Sequence, residues 1–129
     1  MKSKRVPIDE FDQTLRETVA ENDQVFVLFF GTEDPDKNDE SWCPDCVIAD
    51  PLVRKWVSKV PNSVLLEAPV GSRSEWKLNS AHIYRVNPEI SLKAIPTLIR
   101  WTKNGPDGKL VEDECADQTK LEAFINTKA

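Results

Sequence analysis

Apolar side chains recur along this chain with two different periods, and the alternation between them predicts an order of elements. Ile8, Phe11, Leu15 and Val19 follow helical spacing, with Asp9 in an N-cap position. Residues 25–30, Val-Phe-Val-Leu-Phe-Phe, are apolar at every position. Such a run suits a central strand covered by helices on both faces. Residues 32–41 are polar and acidic and read as a loop. From Cys43 a helical pattern runs to about Lys59, with Ile48, Leu52, Val53, Trp56, Val57 and Val60 on its inner face. Pro51 falls inside that pattern and predicts a kink. Residues 64–68 form a second core strand. Between Gly71 and Lys93 the pattern weakens to a short helix around Trp76 and another near residues 82–86. Residues 97–102 and 109–114 flank Gly105-Pro106-Asp107-Gly108, a turn signal that predicts an antiparallel pair. Asp117 then caps a final helix carrying Leu121, Phe124 and Ile125.

This order, β-α-β-(α)-β-β-α, predicts an α/β fold with a mixed sheet between helices. With 129 residues and 40% hydrophobic composition, the chain supports one core, so residues 1–129 read as a single domain. No repeat, linker or low-complexity segment interrupts it. The net charge is −5 and no stretch is rich in Lys or Arg, which argues against nucleic acid and anionic membranes as partners. The longest apolar run, residues 25–30, is far too short to span a bilayer. The charged N-terminus has no apolar segment behind it, so no signal peptide is expected. Three cysteines are an odd number and too few for a disulfide-stapled secreted scaffold. A monomer in the reducing cytoplasm is expected.

The chemistry concentrates in Trp42-Cys43-Pro44-Asp45-Cys46, with Pro96 far downstream in Ala94-Ile95-Pro96-Thr97-Leu98. Two cysteines three apart can close a disulfide where the Cβ atoms approach to roughly 3.5–4.5 Å. The first helical turn permits this, because the capping residue is free of helical dihedrals. Pro44 suits the first helical position, where its missing N–H costs nothing, and this makes Cys43 the N-cap. A thiol there faces unpaired N–H groups and the positive end of the helix dipole, which favours the thiolate. A zinc site is poorly supplied, since only Cys115 and His82 could join the pair. A calcium loop is excluded as well. Asp34, Asp36 and Asn38 have the spacing, but Asp39 replaces the required Gly and Asp45 stands where a bidentate Glu belongs. Cys115 reads as a small buried hydrophobe on an edge strand, His82 as a surface or helix residue, and Trp42 as a partly exposed wall beside the dithiol.

The Trp-Cys-x-x-Cys opening a helix, the Pro five residues after the second Cys, and the late Ile-Pro-Thr together resemble the thioredoxin superfamily. The run Ser41-Trp42-Cys43-Pro44-Asp45-Cys46-Val47, continuing through Pro51-Leu52-Val53-Arg54, is similar to the WCPDC-type thioredoxin-related proteins grouped as thioredoxin domain-containing protein 17 and thioredoxin-like protein Clot. Pro69-Val70-Gly71 before Trp76, and Val111-Glu112-Asp113-Glu114-Cys115, add to the likeness.

What the resemblance implies is a thioredoxin fold, with a central mixed β-sheet flanked by helices on both faces, and a cytosolic disulfide reductase. The family needs no bound cofactor or metal. Thioredoxin reductase recharges it with electrons from NADPH, and it acts on small or selected disulfides such as cystine or particular proteins. Carried onto this sequence, Cys43 matches the nucleophile and Cys46 the resolving thiol. Pro96 matches the cis-proline, with the Ile95 backbone beside it binding substrate, and Trp42, Pro44 and Asp45 border the substrate. One departure is that residues 25–30 carry no carboxylate where thioredoxin keeps one to relay a proton to the resolving cysteine. Proton handling then relies on water or on a nearer group, for which Asp45 is a candidate. The alternative reading is a redox-switched interaction module without significant turnover.

Overall fold

In a computed structural model, described here for residues 1–126, the chain forms a five-stranded sheet with helices on both faces. In chain order the elements are β1 (Lys2–Arg5), α1 (Phe11–Glu21), β2 (Gln24–Phe30), β3 (Glu33–Asp34), β4 (Glu40–Ser41), α2 (Pro44–Val57), β5 (Ser63–Pro69), α3 (Arg73–Lys77), α4 (Ile83–Val86), β6 (Thr97–Thr102), β7 (Gly105–Val111) and α5 (Gln118–Asn126). Short 3-10 turns precede α1, join β3 to β4, and precede α5. The sheet order is β1-β5-β2-β6-β7. β1 and β2 both run parallel to β5, while β6 is antiparallel to β2 and β7 antiparallel to β6.

The apolar run of β2 is central, as its composition demands. Phe26 faces one side and stands 6.1 Å from the Phe124 ring of α5. Phe29 faces the other, 5.7 Å from Phe11 of α1 and 5.1 Å from Tyr84 of α4. Arg100 on β6 is buried, with its guanidinium 5.2 Å from the Phe26 ring and 4.9 Å from the Phe124 ring and donating to the Phe124 carbonyl, so a cation on the central sheet anchors the last helix.

Several details differ from the sequence expectations. β1 was not foreseen, because Lys-Ser-Lys-Arg is exposed throughout and shows no apolar periodicity. It is held by main-chain pairing with β5 and by Arg5, which reaches Glu33 and Glu67. Asp9 lies in the 3-10 turn ahead of α1, and Glu10 takes the N-cap without a side-chain bond. Residues 32–41 form a small hairpin, β3 with β4, rather than an unstructured loop. Ile48 is 58% exposed, while Cys46, Ala49, Val53 and Val57 make the buried stripe of α2. Pro51 lies within that helix. The hairpin turn falls at Lys103-Asn104, where Thr102 pairs with Gly105, and the Gly-Pro-Asp-Gly segment lies in β7. Pro106 is tolerated there because β7 is the sheet edge. Asp117 caps α5 as expected, accepting from the backbone N–H of Thr119 and Lys120 at 3.0 and 3.2 Å.

Candidate active site

Cys43 is the N-cap of α2, with Pro44 at the first helical position. Its sulfur accepts the Cys46 backbone N–H at 3.3 Å, which is the capping bond the spacing predicts. Across the groove the Cys43 sulfur lies 4.0 Å from the Ile95 carbonyl, and the Ile95–Pro96 peptide is cis. Pro44 and Asp45 are exposed, whereas Ile95 and Pro96 are buried. The fold therefore brings the cysteine motif and the Ile-Pro-Thr segment together across a sequence separation of 52 residues. All three cysteines are free thiols.

The two motif thiols differ sharply in acidity. Cys43 is drawn down from 9.0 to about 7, chiefly because the Cys46 thiol donates to it, against the opposing effect of burial. The Cys46 backbone N–H adds to this, while the Asp45 charge works the other way. Cys46 is pushed far up, first because it gives its hydrogen to Cys43 and second because it is buried. The Ser41 side chain and the Gly31 backbone pull it back slightly. One thiol is thus held ready as a thiolate while its neighbour keeps the proton.

The residues around the pair set its shape. Trp42 is only 8% exposed, so it is buried where a partly exposed wall was expected. Its indole N–H donates to the Gly71 carbonyl at 2.8 Å, and the residue lines a cavity of about 730 Å³ with Thr32, Pro35, Arg73 and Leu78. Gly31 permits this, since a Cβ there would meet the Trp42 ring at 2.6 Å. The Ser41 hydroxyl donates to the Gly31 carbonyl at 2.6 Å and accepts the Cys43 N–H at 3.2 Å, joining the end of β2 to the start of α2. Neither Gly31 nor Ser41 was singled out from sequence. Capping statistics favour Ser at the N-cap itself, and Ser41 sits two residues ahead of it.

Two further residues lie elsewhere than the sequence suggested. His82 is 5% exposed rather than on the surface, and it caps α4 by accepting the Tyr84 N–H at Nδ1. Its Nε2 lies 2.8 Å from the Val70 carbonyl, so the bonding pattern selects the tautomer with hydrogen on Nε2. Cys115 is fully buried in the 3-10 turn ahead of α5, not on an edge strand. Its thiol donates to the carbonyls of Leu110 at 3.3 Å and Pro96 at 3.6 Å, which ties this turn to the cis-proline segment. Burial pushes it up to about 12, so it stays a neutral thiol. Among the described residues no three His, Cys, Asp or Glu side chains gather as a metal-holding group, and no helix is long and apolar enough to cross a membrane.

Comparison with known proteins agrees with this geometry. Solved structures with the same fold include thioredoxin O2 from Arabidopsis thaliana, at a TM-score of 0.63 and 16% identity over 97% of this chain and 94% of that one. Thioredoxin from Schistosoma mansoni matches at a TM-score of 0.60 and 21% identity over 96% and 93%. Thioredoxin domain-containing protein 17 from Epinephelus coioides is 40% identical over 108 residues, covering 83% of this chain and 80% of its own. Thioredoxin-like protein Clot from Oryza sativa subsp. japonica is 35% identical over 112 residues, covering 83% and 79%. The sequence model described as "Thioredoxin domain-containing protein 17-like, thioredoxin domain" matches residues 5–127. The chain belongs to the thioredoxin domain-containing protein 17-like family, a thioredoxin-fold family whose close cysteine pair fits thiol–disulfide redox chemistry.

Proposed function

We propose that this protein is a cytosolic thiol–disulfide reductase acting on small or selected disulfides and recharged through an NADPH-dependent thioredoxin reductase. The observation that carries this reading is the split acidity of the pair: Cys43 at about 7 beside a Cys46 whose proton is held in place. A thiol with a pKa near ambient pH is the best attacking group, because it combines an adequate thiolate fraction with high nucleophilicity.

Cys43 thiolate attacks one sulfur of the substrate disulfide, and the other sulfur leaves as a thiolate. Cys46 then loses its proton and attacks the Cys43 sulfur. The second substrate thiolate is released and a Cys43–Cys46 disulfide remains. Two electrons from NADPH, delivered by the reductase, restore the dithiol. Trp42, Pro44 and Asp45 on one side and the Ile95 backbone with Pro96 on the other border the substrate. The relatives named as thioredoxin-like proteins support the assignment, and the chain is read as one monomeric domain.

The test is turnover of cystine with purified protein, NADPH and thioredoxin reductase, followed by NADPH oxidation. Sustained oxidation that depends on Cys43 is expected. A single stoichiometric reaction without turnover would instead favour a redox-switched interaction module. Cys43→Ser should abolish reduction and Cys46→Ser should trap a mixed disulfide. Adduct formation through Cys46 in the Cys43→Ser variant would reverse the roles of the two thiols.

A further inference from the structure

Once Cys43 is tied up in a mixed disulfide, it no longer accepts the Cys46 hydrogen, and that proton has to leave before Cys46 can attack. Cys46 is 3% exposed. The strand behind it, residues 25–30, supplies only apolar side chains. A cavity of about 310 Å³, lined by Phe30, Glu33, Glu40, Ser41, Asp50 and Arg54 among others, opens against Cys46. Charged and hydroxyl side chains make up part of its wall, and it is large enough for several water molecules.

The charged groups around the cavity are not equivalent. Glu33 on β3 is held through both oxygens by Arg5 of β1, at 3.0 and 2.7 Å, and that guanidinium keeps its carboxyl below the usual range. Glu67 on β5 is shared between Arg54 at 2.6 Å and Arg5 at 3.3 Å. Glu40 on β4 is exposed. Asp50 stands four residues after Cys46 on α2, so their side chains share one helix face, about 5–6 Å apart at Cβ. Arg54 Nε donates to Asp50 Oδ2 at 2.9 Å, and among the described residues Oδ1 receives no hydrogen bond. Asp45 is exposed and absent from the cavity lining.

We propose that this cavity is the exit for the Cys46 proton, with the Asp50 carboxylate accepting it through water and Arg54 as the positioning residue that holds Asp50. The inference rests on the reductase reading above. The Cys46 S–H bond breaks and its proton passes across one water to Asp50 Oδ1. The Cys46 sulfur forms the bond to Cys43 and the second substrate thiolate departs. Asp50, whose side chain is 42% exposed, returns the proton to solvent.

The experiment is single-turnover reaction of the reduced protein with dithiobis-nitrobenzoate, which releases one coloured thiolate on Cys43 attack and a second on Cys46 attack. Both phases are followed from about pH 5 to about pH 9 in wild type, Asp50→Asn, Asp50→Glu, Glu40→Gln and Asp45→Asn. In Asp50→Asn the first phase is unchanged, while the second slows by about tenfold or more near neutrality and its pH profile moves upward. Asp50→Glu restores most of the rate, which a loss of local packing would not allow. An unchanged second phase in Asp50→Asn, equal slowing of both phases, or a selective loss in Glu40→Gln or Asp45→Asn instead overturns the assignment. Absence of the second phase in wild type would overturn the reductase reading itself, whatever the state of Asp50.

Discussion

Replacing Cys46 with Ala should change the reactivity of Cys43 in opposite directions at low and high pH. The Cys46 thiol is the largest influence holding Cys43 at about 7. Without that donor, Cys43 should return toward the free-thiol value of about 8.5. Near pH 7 the thiolate fraction then falls from about one half to about 3%, a drop of roughly 16-fold. The more basic thiolate is also more nucleophilic, and with a Brønsted slope of about 0.4–0.5 each thiolate reacts about 4–5 times faster. Alkylation of the variant is therefore about 3–4 times slower than wild type near pH 7 and about 4–5 times faster above pH 10, with the curves crossing near pH 8. Cys46→Ser keeps an O–H donor and should keep a midpoint close to that of wild type. The assay is iodoacetamide alkylation of Cys43 read by mass spectrometry across pH. A wild-type midpoint retained in Cys46→Ala would refute the reasoning, because the acidity of Cys43 would then owe nothing to its neighbour.

Further outcomes follow from residues around the pair. Cys115→Ser should leave turnover near wild type, because Ser can still donate to the Leu110 and Pro96 carbonyls. The buried Cys115 thiol is raised from 9.0 to about 12, so its contribution to stability is complete below pH 9 and is lost as pH climbs toward 12. Chemical denaturation of Cys115→Ser should therefore lose stability less steeply over that window, by up to about 1.4 kcal/mol per pH unit. An activity loss matching Cys43→Ser in the folded variant would show that the third thiol takes part. Gly31→Ala forces a methyl against the Trp42 ring, at 2.6 Å before relaxation, and should cost about 1–3 kcal/mol with a shift in tryptophan fluorescence. Stability and emission equal to wild type would contradict the close approach. Trimming residues 35–39 while keeping Glu33 and Ser41 removes Asp36 and Asp39 from the hairpin beside Trp42. Activity on insulin should then rise more than activity on cystine, and equal change on both would leave the hairpin a simple connection.

The sequence by itself determined the elements whose physics is local or periodic. The unbroken apolar run of β2 could only be buried on both faces, and Cys43-Pro44 fixed both the start of α2 and its cap. The family was legible from the same few residues. Tertiary structure alone decided what depends on partners far along the chain. β1 exists because β5 offers a parallel edge and Arg5 finds two carboxylates, neither of which a Lys-Ser-Lys-Arg segment announces. The turn moved from Gly105-Gly108 to Lys103-Asn104 because pairing register with β6 outweighed local turn propensity. His82 became internal because the Val70 carbonyl and the Tyr84 N–H each needed a partner there. Nothing in the sequence pattern marked Asp50; only folding set it with Arg54 at the cavity beside Cys46, with Glu67 holding Arg54 from β5. A hydrogen bond or a buried charge is a relation between two places in space, and only the fold says which two places meet.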